Sequence, residues 1–248
     1  MKLKEFSDSF DTLINSFGSK NGLGETLSQT IALDEYEKSV FLTKAQEEIV
    51  LSLYTGKNTY GDSFESSEEI RRYLANLIKE VKLTPITNTN GIPLGIASTS
   101  KFFTLPVDVW FITYEAVKLS DAKCPNKEVI KVCPTKQDEY HSIKDNPFRG
   151  PNDKRALRLD LSEGNVEIVC KYTISEYYVR YIKKLPPIVL INLPDGLKVG
   201  EENKESECIL HEALHQRILD RAVILALQSK NYIAKESSDN QAYSQARA

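Results

Sequence analysis

At 248 residues, with 41% hydrophobic and 27% charged side chains, the chain has the composition of a globular protein able to bury a core, as one large domain or two small ones. Thirty-two Lys and Arg stand against 35 Asp and Glu, a net charge of −3, so no global field draws the chain onto nucleic acid or an acidic membrane. No apolar run reaches the roughly 20 residues that cross a bilayer, the first residues lack the apolar core of a signal peptide, and Cys124, Cys133, Cys170 and Cys208 are too widely spaced for a disulfide scaffold and read as reduced thiols.

Leu3, Phe6, Phe10, Leu13, Ile14 and Phe17 recur at three- and four-residue steps, which predicts a short amphipathic helix stopping at Gly18. Residues 18–32, with Gly18, Gly22 and Gly24 among Ser, Thr and Asn, read as a mobile loop. Asp34 followed by Glu37 is a capping-box pattern, opening a second helix through Tyr36, Val40, Phe41, Ala45, Ile49 and Leu53 to Gly56. Ser66 with Glu69 repeats it before Ile70, Tyr73, Leu74, Leu77, Ile78 and Val81, predicting a third helix that ends near Lys82.

From residue 84 to about 200 the helical period gives way to short runs rich in Val, Ile, Thr and Tyr. Strands are expected at Phe102–Thr104, Val107–Val117, Glu128–Val132, Ala156–Leu161, Val166–Thr173, Tyr177–Ile182 and Ile188–Ile191, with Leu161–Val166 a hairpin turn in which Gly164 and Asn165 tolerate positive φ. A polar loop covers 194–206. Helical spacing then resumes through Leu210, Leu214, Ile218, Ala222 and Leu225, and Asn231–Ala248 reads as a flexible tail. The expected fold is α+β. The N-terminal helices and the C-terminal helix form a small bundle (1–83 with 205–230), a β-rich domain of 84–204 is inserted between them, and 231–248 is the tail.

One string matches a catalytic signature: His211-Glu212-Ala213-Leu214-His215. Histidines four apart on a helix can share a zinc while the Glu acts as general base on metal-bound water, the arrangement of a zinc-dependent peptidase. Its extension to a third histidine fails at Ile218 and Arg221, and Glu236 as third ligand falls in the tail. Arg217 also breaks the apolar helix face on which such sites rest. The alternative is a helix that happens to carry His, Glu and His beside its apolar stripe.

Tyr172, Tyr177, Tyr178 and Tyr181, interleaved with Lys171, Arg180, Lys183 and Lys184, suit base stacking and phosphate contact. An ordinary edge of a β-domain reads the same way, and Glu176 interrupts the basic set. No cysteine has an activating neighbour, and no phosphate loop, nucleophile elbow or dinucleotide fingerprint is present. The residues by themselves therefore indicate no enzyme, with no catalytic residue, no cofactor and no metal.

Four segments resemble a known family, the head-to-tail ring, or connector, proteins of crAss-like bacteriophages. They are Leu33–Val50 (LDEYEKSVFLTKAQEEIV); Asp138-Glu139-Tyr140 leading to Asn146-Pro147-Phe148-Arg149-Gly150-Pro151; Val179–Ile182 before Pro186-Pro187-Ile188; and His215–Val223. Their order and spacing span residues 33 to 225. The resemblance implies a structural virion protein without catalysis, acting as an adaptor that joins the portal to the tail. Identical subunits would form a closed, twelvefold ring around the DNA channel, touching the portal protein and adjacent neck or tail rings. Double-stranded DNA would pass through the lumen without specific binding, no membrane would be involved, and the virion neck or tail would be assembled in the host cytoplasm. Two distinct sticky surfaces follow from a head-to-tail ring. Asn146–Pro151 is a candidate for one, projecting Phe148 and Arg149, residue types enriched at interfaces. A loop that packs Phe148 inward fits the composition equally.

Overall fold

The spacing of Phe6, Phe10 and Ile14 is realised as α1 (Leu3–Gly18), and all three side chains are fully buried. The structure is a computed structural model that describes residues 1–18, 32–57, 61–86, 99–120 and 129–229. The 18–32 loop and the 231–248 tail, with Glu236, therefore lie outside the described residues but for the ends of the loop. The chain divides into two compact units, Met1–Asn76 with Leu185–Ala248, and Leu77–Lys184. The edges expected from composition stood at 83/84 and 204/205.

In the first unit α2 (Glu35–Thr55) carries the expected capping box: Asp34 Oδ1 accepts from Glu37 N–H at 2.7 Å while Asp34 N–H donates to Glu37 Oε2. It stops at Gly56, whose φ of 74° favours glycine. The buried face is rotated from the expected stripe, since Lys38, Ser39 and Gln46 are buried while Phe41 and Ile49 are only half-buried. Two bonding patterns explain this. Lys38 Nζ gives its three protons to Ser7 Oγ, Asp11 Oδ2 and Glu35 Oε1 at 2.7–3.1 Å, fastening α1 to α2. Ser39 Oγ and Thr43 Oγ1 accept the Leu190 and Ile188 N–H groups, and Gln46 Nε2 donates to Pro186 O. Those three residues lie on one helical face, so they hold an extended segment that the sheet does not.

This corrects the reading of Ile188–Ile191 as a strand of the β-domain: its only ladder contact among the described residues is the Val189–Ser206 bridge, and α2 bonds the backbone of Ile188 and Leu190. α3 is shorter than expected, Glu68–Tyr73, capped by Ser67 rather than Ser66. Beyond a single 3₁₀ turn the chain enters β1 (Ile78–Leu83), so the predicted helix to Lys82 is wrong. Ile78 and Val81 fit a helical stripe, but Ile78-Lys79-Glu80-Val81-Lys82-Leu83 also fits a strand, and pairing with β7 decides the matter. The last helix, over 215–229, buries Ile218, Leu219, Ala222, Val223 and Ala226.

The second unit is a seven-stranded sheet: β1, β2 (Lys101–Thr104), β3 (Val109–Leu119), β4 (Val129–Pro134), β5 (Arg155–Asp160), β6 (Asn165–Val169) and β7 (Ile174–Lys183), in the order β1-β7-β3-β4-β5-β6-β2. Six of the expected strands are here, with ends shifted by a few residues. Beyond β1, Ile86 N–H donates to Phe102 O on β2. One chain segment thus joins both edges of the order, and the sheet curls back on itself. Phe103, Val117, Ile130, Val132, Ala156, Ile168, Tyr177 and Val179 form the cluster it encloses. The sole parallel pair among the described residues, β4 with β5, requires a crossover. That crossover contains α4 (Gln137–Ile143), whose Tyr140 and Ile143 cover Leu157, Leu159 and Val169 on the opposite face. β5 is buried on both faces for that reason. The β5–β6 hairpin forms where expected, but its positive φ values fall on Glu163 (58°) and Gly164 (72°), while Asn165 stays extended at −80°. This is the mirror-type turn that matches strand twist.

Charged groups also sit inside the curl. Glu115 and Arg158 are both buried: an Arg158 Nη1 proton goes to Glu115 Oε1, and Tyr177 Oη donates to Glu115 Oε2 at 2.6 Å. Arg158 Nε lies 2.9 Å from Asp160 Oδ1 but is poorly aligned for a hydrogen bond.

Candidate assembly interface

The His211–His215 string does not lie on one α-helical turn. His211 is extended (φ −60°, ψ 140°) and caps the chain's entry into a 3₁₀ turn, Glu212–Leu214, its Nδ1 accepting from Ala213 N–H at 3.2 Å. The α-helix begins at His215, where the motif ends. The His215 ring is buried beside Phe6, with Nε2 3.1 Å from Leu210 O and Nδ1 2.6 Å from the Met1 nitrogen. Both ring nitrogens are thus engaged. Burial and the nearby amino group hold its pKa below the usual histidine value. His211 and Glu212 are exposed, and the His211 ring packs on Tyr73. These residues cap and anchor a helix, and the geometry does not bring two histidines to one metal position.

Strand alternation likewise divides the tyrosine and lysine set. Tyr177 and Tyr181 point into the core, whereas Tyr178 and Arg180 lie on the outer face. The outer cations are matched by acids: Lys171 with Asp153, Lys82 with Glu176, and Arg180 with Glu80. No continuous stacking platform results. Burial pushes the Cys170 and Cys208 thiols up, the opposite of an activated nucleophile. Cys133 is half-buried, and Cys124 lies outside the described residues.

The Asn146–Pro151 turn is built differently. Asn146 Oδ1 accepts from the N–H groups of both Phe148 (2.8 Å) and Arg149 (3.1 Å), and Asn146 O accepts from Gly150 N–H at 2.7 Å. Asn152 Nδ2 donates to Pro147 O, and Arg155 Nη1 donates to Phe148 O at 2.6 Å. At Gly150 a Cβ would stand 2.6–2.7 Å from the carbonyl oxygens of Ile143, Lys144 and Asn146, which no larger residue can do. Backbone and side chains thus pin the peptide on both sides of Phe148, yet the Phe148 side chain is 83% exposed. The inward-packed alternative is excluded. The Arg149 guanidinium has no partner among the described residues. Such an arrangement pays ordering entropy in advance and leaves an aromatic anchor in water, the form of a preorganised contact.

A family model for phage tail ring protein 3/4 matches residues 1–238. The chain belongs to this family. Ring protein 3 of Bacteroides phage crAss001 is 46% identical over 236 residues, 94% of this chain and 98% of the relative. Ring protein 4/5 of the same phage is 32% identical over 235 residues, 91% of this chain and 92% of the relative. The resemblance carried by the four segments is thereby established, and the chain is a crAss-like phage ring protein, a virion component.

Within this ring-protein fold the structure also brings together residues the sequence reading left apart. Glu80, Arg180 and Tyr114 are direct cross-strand neighbours on the outer face of β1, β7 and β3. Arg180 binds Glu80 through Nε and Nη2 and lies 5.9 Å from the Tyr114 ring centroid. Their meeting requires β1 to be a strand rather than the expected helix, and the alternation of charged and apolar residues over Ile78–Leu83 is the signal for it in the sequence. At the turn before β3, Val107 is 91% exposed, and nothing but its place between Pro106 and Asp108 marks it in the sequence.

Proposed function

We propose that this chain is a structural subunit of a closed homo-oligomeric ring in the head-to-tail channel of a tailed phage, joining the portal side to the tail around the exiting DNA. The observation that carries the reading, beside family membership, is the pinned and exposed Phe148. A chain that works alone gains nothing by holding an aromatic ring rigidly in water, whereas a subunit that must meet its neighbours gains affinity by ordering the contact before association. The finer parts belong to the same proposal: twelve copies, contact with the portal protein and with adjacent ring proteins, no membrane, assembly in the host cytoplasm, and DNA that passes without specific binding. A net charge of −3 suits a lumen that does not retain DNA. No catalytic step, cofactor or metal is assigned.

Quantitative mass spectrometry of purified particles tests this. The reading expects this chain in a fixed multiple of a single copy, equal to the portal count for a twelvefold ring. Absence from particles, or sub-stoichiometric presence, contradicts it.

A further inference from the structure

The ring reading requires that each copy present a knob to one neighbour and a hole to the other, and the sheet unit holds a matching pair. A cleft of about 330 Å³ opens on the outer face of β1, β7 and β3, where Glu80, Lys82, Tyr114, Tyr178 and Arg180 surround it above the inward-facing Val81 and Val179, and Lys82 is paired with Glu176. Tyr114 is half-exposed, so the cleft offers an aromatic wall to an incoming ring. Both Arg180 nitrogens go to Glu80 Oε1, leaving Oε2 without a partner among the described residues, and Glu80 is 67% exposed. The knob therefore carries an unfilled aromatic and an unpaired guanidinium on adjacent residues, and the cleft an aromatic wall with an open carboxylate oxygen beside it.

The strand order separates the two. The Phe148 turn leads directly into β5, and the cleft is centred on β7. In the order β1-β7-β3-β4-β5-β6-β2 these strands are three apart one way and four the other around the curl closed by Ile86 and Phe102. They occupy far sides of the same unit, which is what a head-to-tail contact needs and what a twofold contact does not.

We propose that Phe148 of one copy seats between Tyr114 and Tyr178 of the next copy in the ring, with Arg149 pairing to Glu80 Oε2. This rests on the ring reading and names its subunit contact. The partner is a second copy of this chain, since the ring reading supplies one and the unpaired Arg149 guanidinium and the open Glu80 oxygen carry opposite charge.

The test places the photocrosslinker p-benzoylphenylalanine at position 148 of the full chain, incorporates it into particles, irradiates, and maps the products by mass spectrometry. A site that is 83% exposed tolerates the larger ring. The expected products are multiples of this chain, joined at residues of β1, β7 or Tyr114 of another copy. Attachment within the same chain, attachment to a different virion protein, attachment to another surface of a second copy, or no product in particles that contain the chain each overturns the contact and leaves the ring reading standing. Absence of the unsubstituted chain from particles overturns both. Independently, Phe148→Ala is expected to lower incorporation about tenfold or more with unchanged circular dichroism. Incorporation at the level of the unsubstituted chain contradicts the assignment.

Discussion

Replacing Arg158 with leucine removes a guanidinium from inside the curled sheet and leaves Glu115, 7% exposed, with Tyr177 Oη as its remaining partner. Burial alone would lower the Arg158 pKa, but the Glu115 and Asp160 charges outweigh it and hold the group above its ordinary value. Burial and Glu115 together push the Tyr177 hydroxyl well up, keeping it a donor. Removing one member of a buried pair costs about 3–5 kcal/mol, because the other charge is left uncompensated. The Asp160 side adds little, that carboxylate being 65% exposed. For a unit of this size the loss corresponds to a fall in Tm of about 12 °C or more. Trp110, the chain's one tryptophan, lies on β3 with Glu115, so its fluorescence follows this unit during thermal or urea unfolding. Adding Glu115→Met and Tyr177→Phe to Arg158→Leu removes the stranded charge and the hydroxyl left without its acceptor, and is expected to recover most of the loss. An Arg158→Leu protein within about 1 kcal/mol of the original, or a triple variant less stable than the single one, refutes the reasoning.

Asp34→Ala removes the α2 capping box and is expected to cost about 1 kcal/mol, read as a lower Tm by far-ultraviolet circular dichroism; an unchanged Tm contradicts it. Gly150→Ala forces a methyl against three carbonyl oxygens and is expected to cost about 1–3 kcal/mol and to displace Phe148, so that both Tm and particle incorporation fall. The Lys79 ammonium, despite partial burial and with help from Tyr181, holds the Asp108 carboxyl below its usual value of 3.8. A lowered folded pKa stabilises fully above 3.8, and the contribution is lost as pH falls through the folded value. Asp108→Asn should therefore flatten the acid-side decline of the Trp110-monitored Tm, and an identical decline in both proteins would count against the linkage.

Helix ends governed by local chemistry were legible: Asp34 with Glu37, and Gly56 at the αL stop, depend on residues a few positions apart. So were six strands, whose alternation is a short-range property. What was not legible depended on distant partners. Ile78–Leu83 is compatible with either period until β7 is known, and Ile188–Ile191 has strand composition but is held by Ser39, Thr43 and Gln46 of α2. The buried polar residues of α2 lie outside its apolar stripe, and their role depends on the segment and on α1 that they bond. At the interface, the sequence identified Phe148 and Arg149 but left their direction open, since exposure was decided by Gly150, Asn146 and Arg155 closing the turn. The Glu80–Arg180–Tyr114 cleft needed three strands in register before it existed.

The most direct test of the central claim is a reconstruction of the particle's neck and tail by electron cryo-microscopy with the ring symmetry left free. The account predicts a closed ring of identical subunits whose density fits the seven-stranded unit, with Phe148 at the boundary between adjacent copies. A particle with no ring fitting this chain, or one in which the chain occupies a single asymmetric position, would contradict it.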